Sequence, residues 1–220
     1  GFGEGIADEL EWFRRWDHVK KWDPPYAEWF TNAQLNITHN CLDRHVMDGR
    51  RNKVALIWRG EKEGQERVLT YRQLYRQVMR FASALTKMGI EKGDRVCLYM
   101  PLVPEHIIAL LACARIGAIH SVVFGGFSAE ALKDRIINAE ARCIITADGG
   151  NRGGRVIELK AAADIAADES GIVDKIITFR RTGHDINMKD GRDVWWHEIV
   201  EGQASECEPE WVDAEHPLFL

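Results

Sequence analysis

The sequence predicts an α/β fold in which helices flank a mostly parallel sheet. From Lys53 onward, short apolar or β-branched runs alternate with amphipathic stretches of helical period, which is the pattern of successive βαβ units. The amphipathic stretches also begin and end at residues typical of helix caps. Residues 1–50 lack this regularity and are interpreted as an N-terminal arm, and residues 51–220 are assigned to one domain.

The first predicted elements are a hairpin and a helix. Residues 54–58 form an apolar, β-branched run, and the polar stretch GEKEGQE after it turns the chain into a second run that ends at Leu69. Thr70 and Gln73 have the spacing of a capping box, which predicts that a helix begins there. Gly89 ends that helix, and its predicted buried face comprises Leu74, Val78, Phe81, Ala82 and Leu85.

Two further strand and helix pairs follow. Residues 95–99 are predicted as a strand, and Pro104 suits the first turn of the next helix. That helix is apolar on nearly all sides, so we expect neighbouring elements to cover it. A strand over residues 118–124 precedes a helix that Ser128 caps, with a predicted buried stripe of Leu132, Ile136 and Ala139.

A glycine-rich loop follows the next strand. The strand over residues 142–146 leads into ADGGNRGGR, then a helix to about residue 167 and a strand over residues 175–179. In parallel sheets, ligands bind in the crevice beyond the carboxyl ends of the strands. This loop and the turn at Gly125 and Gly126 both follow strands, so we expect a ligand at that end of the sheet.

The loop at residues 147–155 contains four glycines and two arginines. Gly149 and Gly154 are spaced as in a Walker A motif, but Arg155 and Val156 replace its lysine and hydroxyl residue, which argues against nucleoside triphosphate binding there. Small residues let backbone N–H groups approach an oxyanion, the following helix would offer its positive end, and arginine matches phosphate. A solvated turn explains the same residues, and the residues alone leave both interpretations open.

Composition and charge narrow the class of ligand. The 220 residues carry a formal net charge of −5 and scattered basic residues, which favours a small charged metabolite over nucleic acid or a membrane. No run is long and apolar enough to cross a bilayer, and no secretory signal is recognised. The five cysteines form no CxxC pair and lie largely in apolar runs, as expected of reduced thiols in a cytoplasmic protein.

The residues identify no catalytic group and no metal site. His39, Cys41 and His45 match no zinc spacing. His106 in a helix is interpreted as a surface or packed residue, and His120 in a strand as a hydrogen-bonded core residue. No Ser-His-Asp order, pair of carboxylates or activated cysteine can be assembled.

Five stretches form a recognisable combination: NCLDRHV, LTYRQLYRQVMRFASAL, GDRVCLYMPLVPE, LACARIGAIHSVVFGGFS and ITADGGNRGGR. Together they resemble the N-terminal part of AMP-forming acetyl-coenzyme A synthetases, from about residue 29 to residue 220. Such ligases use ATP to convert a short carboxylic acid to an acyl-adenylate, then transfer the acyl group to coenzyme A. The resemblance therefore implies an acetate–CoA ligase that uses acetate, ATP, Mg²⁺ and coenzyme A.

The resemblance also implies a binding site. In the family, two arginines on the matching loop bind the 3′-phosphate of coenzyme A, and the FGG turn lies against the nucleotide. This loop is more glycine-rich and less acidic than is usual in the family. The implied coenzyme A site comprises Phe124, Gly125, Gly126, Arg152, Gly153, Gly154 and Arg155.

The resemblance places the rest of the family's machinery downstream of residue 220. The ATP phosphate loop, the acyl pocket and the catalytic lysine would all lie there, so no catalytic residue is expected in this chain. Its C-terminal continuation is then an expected partner, and residues 51–220 are the first part of an adenylate-forming domain. Two alternatives stay open: a propionyl- or other short-chain acyl-CoA ligase, and a non-catalytic module that binds a coenzyme A or ADP phosphate.

Overall fold

The computed structural model describes residues 2–220, with side chains described from residue 5 onward. The helices are α1 (Phe2–Ala7), α2 (Arg44–Met47), α3 (Tyr71–Lys87), α4 (Pro104–Arg115), α5 (Ala129–Ala139), α6 (Leu159–Ser170) and α7 (Trp196–Val200), and a π-helical turn spans His39–Asp43. The strands are β1 (Lys20–Asp23), β2 (Tyr26–Trp29), β3 (Gln34–Leu35), β4 (Val54–Arg59), β5 (Glu66–Thr70), β6 (Arg95–Tyr99), β7 (Ile119–Val122), β8 (Cys143–Ala147), β9 (Gly150–Arg152), β10 (Arg155–Ile157), β11 (Lys175–Phe179), β12 (Asp193–Trp195) and β13 (Val212–Asp213).

A five-stranded parallel sheet with the order β12-β11-β8-β6-β7 forms the centre of the fold. The predicted α/β class is confirmed, and β6 and β11 have the predicted bounds. The strand expected over residues 118–124 is shorter, because the chain leaves the sheet after Val122. The hairpin of β4 and β5 forms as predicted, but it is a separate two-stranded sheet rather than the first strand of the parallel one.

Helices cover both faces of the central sheet. Side chains alternate along β6, so that Val96 and Leu98 pack in one apolar cluster with α3 and α4. Cys97 and Tyr99 point the other way, into a second cluster that contains buried residues of α5 and α6. The sheet is therefore the middle of three layers, and its two ends carry the loops.

The predicted helix starts are confirmed by their hydrogen bonds. Thr70 Oγ1 accepts from the backbone N–H of Gln73 at 3.3 Å, and Gln73 Oε1 accepts from the N–H of Thr70 at 2.8 Å, which completes the capping box of α3. Pro104 is in the first turn of α4, and Ser128 Oγ accepts from the N–H of Ala131 at the start of α5. These caps fix where each helix begins relative to the strand before it.

The N-terminal arm contains more regular structure than its sequence predicts. β1 and β2 pair as an antiparallel hairpin, and β3 pairs with β13 near the other end of the chain. The Asn36 side chain donates to the carbonyls of Ala114, Arg115 and Glu210. The arm is therefore packed against the end of α4 and the C-terminal segment.

Candidate functional site

The glycine-rich loop folds as a β-hairpin. β9 and β10 pair antiparallel, and the two residues between them, Gly153 and Gly154, have φ of +59° and +73°. Two consecutive positive φ values are what a tight two-residue hairpin turn requires, and glycine reaches them without a Cβ penalty. The expectation that the loop runs straight into a helix is wrong: β10 lies between the arginine pair and α6, so the helix N-terminus is not part of the tip.

Arg152 and Arg155 lie directly opposite each other across this hairpin. Opposite residues of an antiparallel pair project to the same face, and like charges in that position repel. An anion between the two guanidinium groups would relieve that repulsion. The paired arginines therefore give the tip a physical reason to bind an anion. The positive end of the following helix, which the sequence analysis had invoked, does not contribute.

A cavity of about 600 Å³ lies at the carboxyl ends of four central strands. It is lined by segments that follow β6, β7, β8 and β11, as the sequence predicted for a ligand site in a parallel sheet. Phe124, Gly125, Gly126 and Arg152 all line it. The structure thus brings together the FGG turn and one of the two predicted arginines, while Gly153, Gly154 and Arg155 lie at the exposed tip outside the lining.

The glycines of the FGG turn make room for their neighbours. A Cβ on Gly126 would lie 2.6 Å from Phe124 Cε1 and 2.7 Å from Arg152 Nη1. A Cβ on Gly125 would lie 3.2 Å from the carbonyl oxygen of Met100. Arg152 thus lies close against the turn, with its Cζ atom 5.3 Å from the centre of the Phe124 ring.

Three more arginines line the cavity, namely Arg59, Arg135 and Arg181, and the sequence analysis identified none of them as a site residue. Arg135 lies with its Cζ 5.1 Å from the centre of the Phe127 ring, and Arg181 lies 5.2 Å from that of Trp58. Arg181 comes two residues after β11, so the strand-end rule that identified the glycine-rich loop could have found it. Trp58 is in the separate hairpin and Arg135 is in the middle of α5, and no local sequence pattern indicates that either residue would reach the cavity.

The cavity also borders on buried histidines. His106 lines it and is 7% exposed, and burial lowers its pKa. Burial, with the nearby His106, lowers the pKa of His120 to about 4. The Nδ1 atoms of both are buried, and in the described part of the chain neither has a hydrogen-bond partner, so the bond expected for a core His120 is missing at that atom. At neutral pH the positive charge of the cavity therefore comes from its arginines.

The described residues contain neither a cluster of metal-ligating side chains nor a helix that could span a membrane. Between residues 5 and 220, no group of three or more His, Cys, Asp or Glu side chains is arranged to hold a metal ion. No helix in that range has both the length and the apolar character to cross a membrane.

Comparisons with known proteins find similarity to AMP-binding enzymes and acetyl-coenzyme A synthetases along the whole chain. The family described as AMP-binding enzyme matches residues 42–220, and the family described as acetyl-coenzyme A synthetase N-terminus matches residues 1–41. An acetyl-coenzyme A synthetase of Rubrobacter xylanophilus is 49% identical over 100% of this chain and 34% of its own length. One of Alcanivorax borkumensis is 52% identical over 99% of this chain and 34% of its own length.

The fold is also similar to that of a solved acyl-CoA synthetase structure. The acetoacetyl-CoA synthetase of Streptomyces lividans superposes with a TM-score of 0.89 at 27% identity, over 99% of this chain and 33% of that protein. The chain therefore spans about a third of the length of the relatives it matches.

Proposed function

The chain belongs to the AMP-binding enzyme family, and on that premise we propose that it is the N-terminal part of an acetate–CoA ligase. The complete enzyme joins acetate to AMP at the expense of ATP, releases pyrophosphate, and transfers the acetyl group to coenzyme A. Identities of 49–52% to acetyl-coenzyme A synthetases over nearly the whole chain support this function. ATP, Mg²⁺, acetate and coenzyme A are the proposed substrates and cofactors of that enzyme.

The proposed role of this chain within the enzyme is to bind the nucleotide end of coenzyme A. Arg152 and Arg155 hold the 3′-phosphate, and the FGG turn at residues 124–126 lies against the nucleotide. The observation that carries this proposal is that Arg152 contacts the FGG turn in a cavity at the carboxyl ends of the sheet. Guanidinium groups suit phosphate because their N–H donors match two of its oxygens.

The test uses the full-length enzyme that contains this chain. Charge-assisted hydrogen bonds contribute about 1.5–3 kcal/mol each, so Arg152→Ala or Arg155→Ala should raise the KM for coenzyme A about ten- to a hundred-fold. The acetate-dependent exchange of pyrophosphate into ATP should stay near normal, because adenylation does not use coenzyme A. Arg76→Ala, which removes an exposed arginine from α3, is the matched control.

A second ligand separates a phosphate contact from a general charge effect. 3′-Dephospho-coenzyme A lacks the group in question, so the wild type should bind it weakly and Arg152→Ala should weaken it little further. Equal losses for coenzyme A and its dephospho form would show that the 3′-phosphate assignment is wrong. No loss for either ligand would favour the solvated-turn interpretation of the hairpin.

A further inference from the structure

Arginines without a carboxylate partner reach the cavity from three different elements: β9, α5 and the loop after β11. Four arginines line it; Arg59 is paired with Glu66 at 2.9 Å, whereas across residues 5–220 no carboxylate lies within 4.0 Å of Arg135, Arg152 or Arg181. One carboxylate, that of Glu61, also lines the cavity, and it accepts from the backbone N–H of Gly154 at 2.6 Å. Like charges that share a cavity repel each other, and the repulsion is strongest where water is partly excluded. A ligand with more than one anionic group would satisfy this arrangement better than a single phosphate.

Arg181 is held in place before any ligand arrives. Its Nη2 donates to Gln65 Oε1 at 2.9 Å, and its guanidinium lies over the Trp58 ring. Both neighbours are uncharged, so they orient the guanidinium without neutralising it. A side chain that is already ordered loses less conformational entropy when it binds.

The backbone of Arg181 is fixed by a buried carboxylate. Asp148 is fully buried, and its oxygens accept from the backbone N–H groups of Gly149, Arg181, Thr182 and Gly183 at 2.6–3.1 Å. Burial would raise the pKa of Asp148, but these hydrogen bonds outweigh it and the pKa is lowered, so the carboxylate is ionised at neutral pH.

Asp148 also links the two sides of the site. It follows β8 and precedes β9, while the N–H groups that it accepts from residues 181–183 follow β11, the parallel neighbour of β8. The position of Arg181 is therefore fixed relative to the hairpin that carries Arg152. Two arginines from different elements are thus held at one cavity in a set relation.

We infer that Arg181 binds a second anionic group of the cavity's ligand, the diphosphate of coenzyme A. The inference rests on the proposed function, in which Arg152 and Arg155 take the 3′-phosphate. The diphosphate is present in both coenzyme A and 3′-dephospho-coenzyme A, whereas the 3′-phosphate is present only in the first. Arg181 and Arg152 must then respond differently to the same pair of ligands.

The experiment compares Arg181→Gln with Arg180→Gln in the full-length enzyme. Arg180 is the adjacent arginine and also lies over a tryptophan, Trp195, at 4.3 Å, but it does not line the cavity. We expect Arg181→Gln to raise the KM for coenzyme A and for 3′-dephospho-coenzyme A by the same factor, about ten-fold. Arg180→Gln should change neither, and pyrophosphate exchange should stay near normal in both variants.

The outcomes separate this inference from the proposed function. A loss with coenzyme A alone would move Arg181 to the 3′-phosphate and overturn the diphosphate assignment. No loss with either ligand, or an equal loss in Arg180→Gln, would overturn it as well. If Arg181→Gln weakens both ligands while Arg152→Ala weakens neither, the inference stands and the proposed 3′-phosphate site fails.

A second variant tests the inference if Arg181→Gln damages the enzyme as a whole. If Arg181→Gln also loses pyrophosphate exchange, Arg181→Lys carries the same test, because lysine keeps the charge but lacks the planar fork. We then expect a smaller loss of about three-fold, again equal for the two ligands. A lysine variant that binds both ligands as the wild type does, beside an intact Arg180→Gln, would overturn the inference.

Discussion

His120 shows how one buried side chain sets a pH dependence. It lies in β7 with 8% of its surface exposed, and burial together with His106 lowers its pKa to about 4, from 6.5 for an ordinary histidine. Between pH 6.5 and pH 4, His120 is therefore mostly protonated in the unfolded chain but mostly neutral in the folded chain. The stability due to the neutral form is complete above that pH and is lost as the pH falls towards 4.

The first prediction is that acidification destabilises the folded chain through His120. The free energy of unfolding of the chain should fall by about 2 kcal/mol between pH 7 and pH 5 because of His120, and His120→Leu, which cannot titrate, should lose less over the same interval. Urea unfolding at the two pH values measures both. His197→Leu, at an exposed position of α7, is the control and should keep the wild-type dependence; an unchanged dependence in His120→Leu would contradict the prediction.

At the scale of elements, the end of α4 is joined to the N-terminal arm by a buried ion pair. The guanidinium of Arg115, the last residue of α4, donates to both oxygens of Asp43 at 2.8 and 2.9 Å. The two side chains are only 2% and 4% exposed. A buried charge without its partner is costly, so the pair makes the attachment of the arm sensitive to either residue.

The second prediction removes one partner. Asp43→Ala should lower the free energy of unfolding by about 3–5 kcal/mol, because it leaves the Arg115 guanidinium buried without its carboxylate. Glu140→Ala is the matched control, since it breaks the pair with Arg95 in which the Glu140 side chain is 78% exposed, and should cost less than about 1 kcal/mol. Equal small losses in urea unfolding would show that the buried pair does not hold the arm.

The elements that the sequence predicts well are those with local signals. The start of α3 follows from Thr70 and Gln73 alone, and β11 has the predicted bounds because it is a short apolar run between polar residues. The hairpin of β9 and β10 was missed because each strand has only three residues and β9 contains no large apolar residue. A two-residue Gly-Gly turn between Asn151-Arg152 and Arg155-Val156 was the available signal.

At the scale of the whole molecule, the candidate site was only partly predictable. The glycine-rich loop and the FGG turn both follow strands of a parallel sheet, whose ends meet at one edge, and this position predicted a ligand site there. The assignment of Arg152 and the FGG turn to coenzyme A came from the family resemblance. Arg135, Arg181 and Trp58 reach the same cavity from a helix, a loop and a separate hairpin. Their meeting depends on tertiary packing, so no spacing in the sequence reports it.

The whole molecule also leaves one sheet edge with exposed apolar side chains. β7 is the edge strand of the central sheet, and the segment beside it contacts His120 through a parallel bridge at Phe219. Val122, Phe219 and Leu220 are 44%, 66% and 61% exposed. Exposed apolar side chains at a sheet edge favour association with another apolar surface.

The third prediction is therefore that the 220-residue chain, expressed by itself, associates with itself through this edge as its concentration rises. Phe219→Glu should shift the association to higher concentration, because a carboxylate must be desolvated when the edge is covered. Ile165→Glu is the matched control, since Ile165 is an apolar residue of α6 with a similar exposure of 50%, and it should leave the association unchanged. Sedimentation velocity over a hundred-fold concentration range measures both. A monomer throughout that range, or an equal shift in the two variants, would mean that the exposed edge at β7 does not drive association.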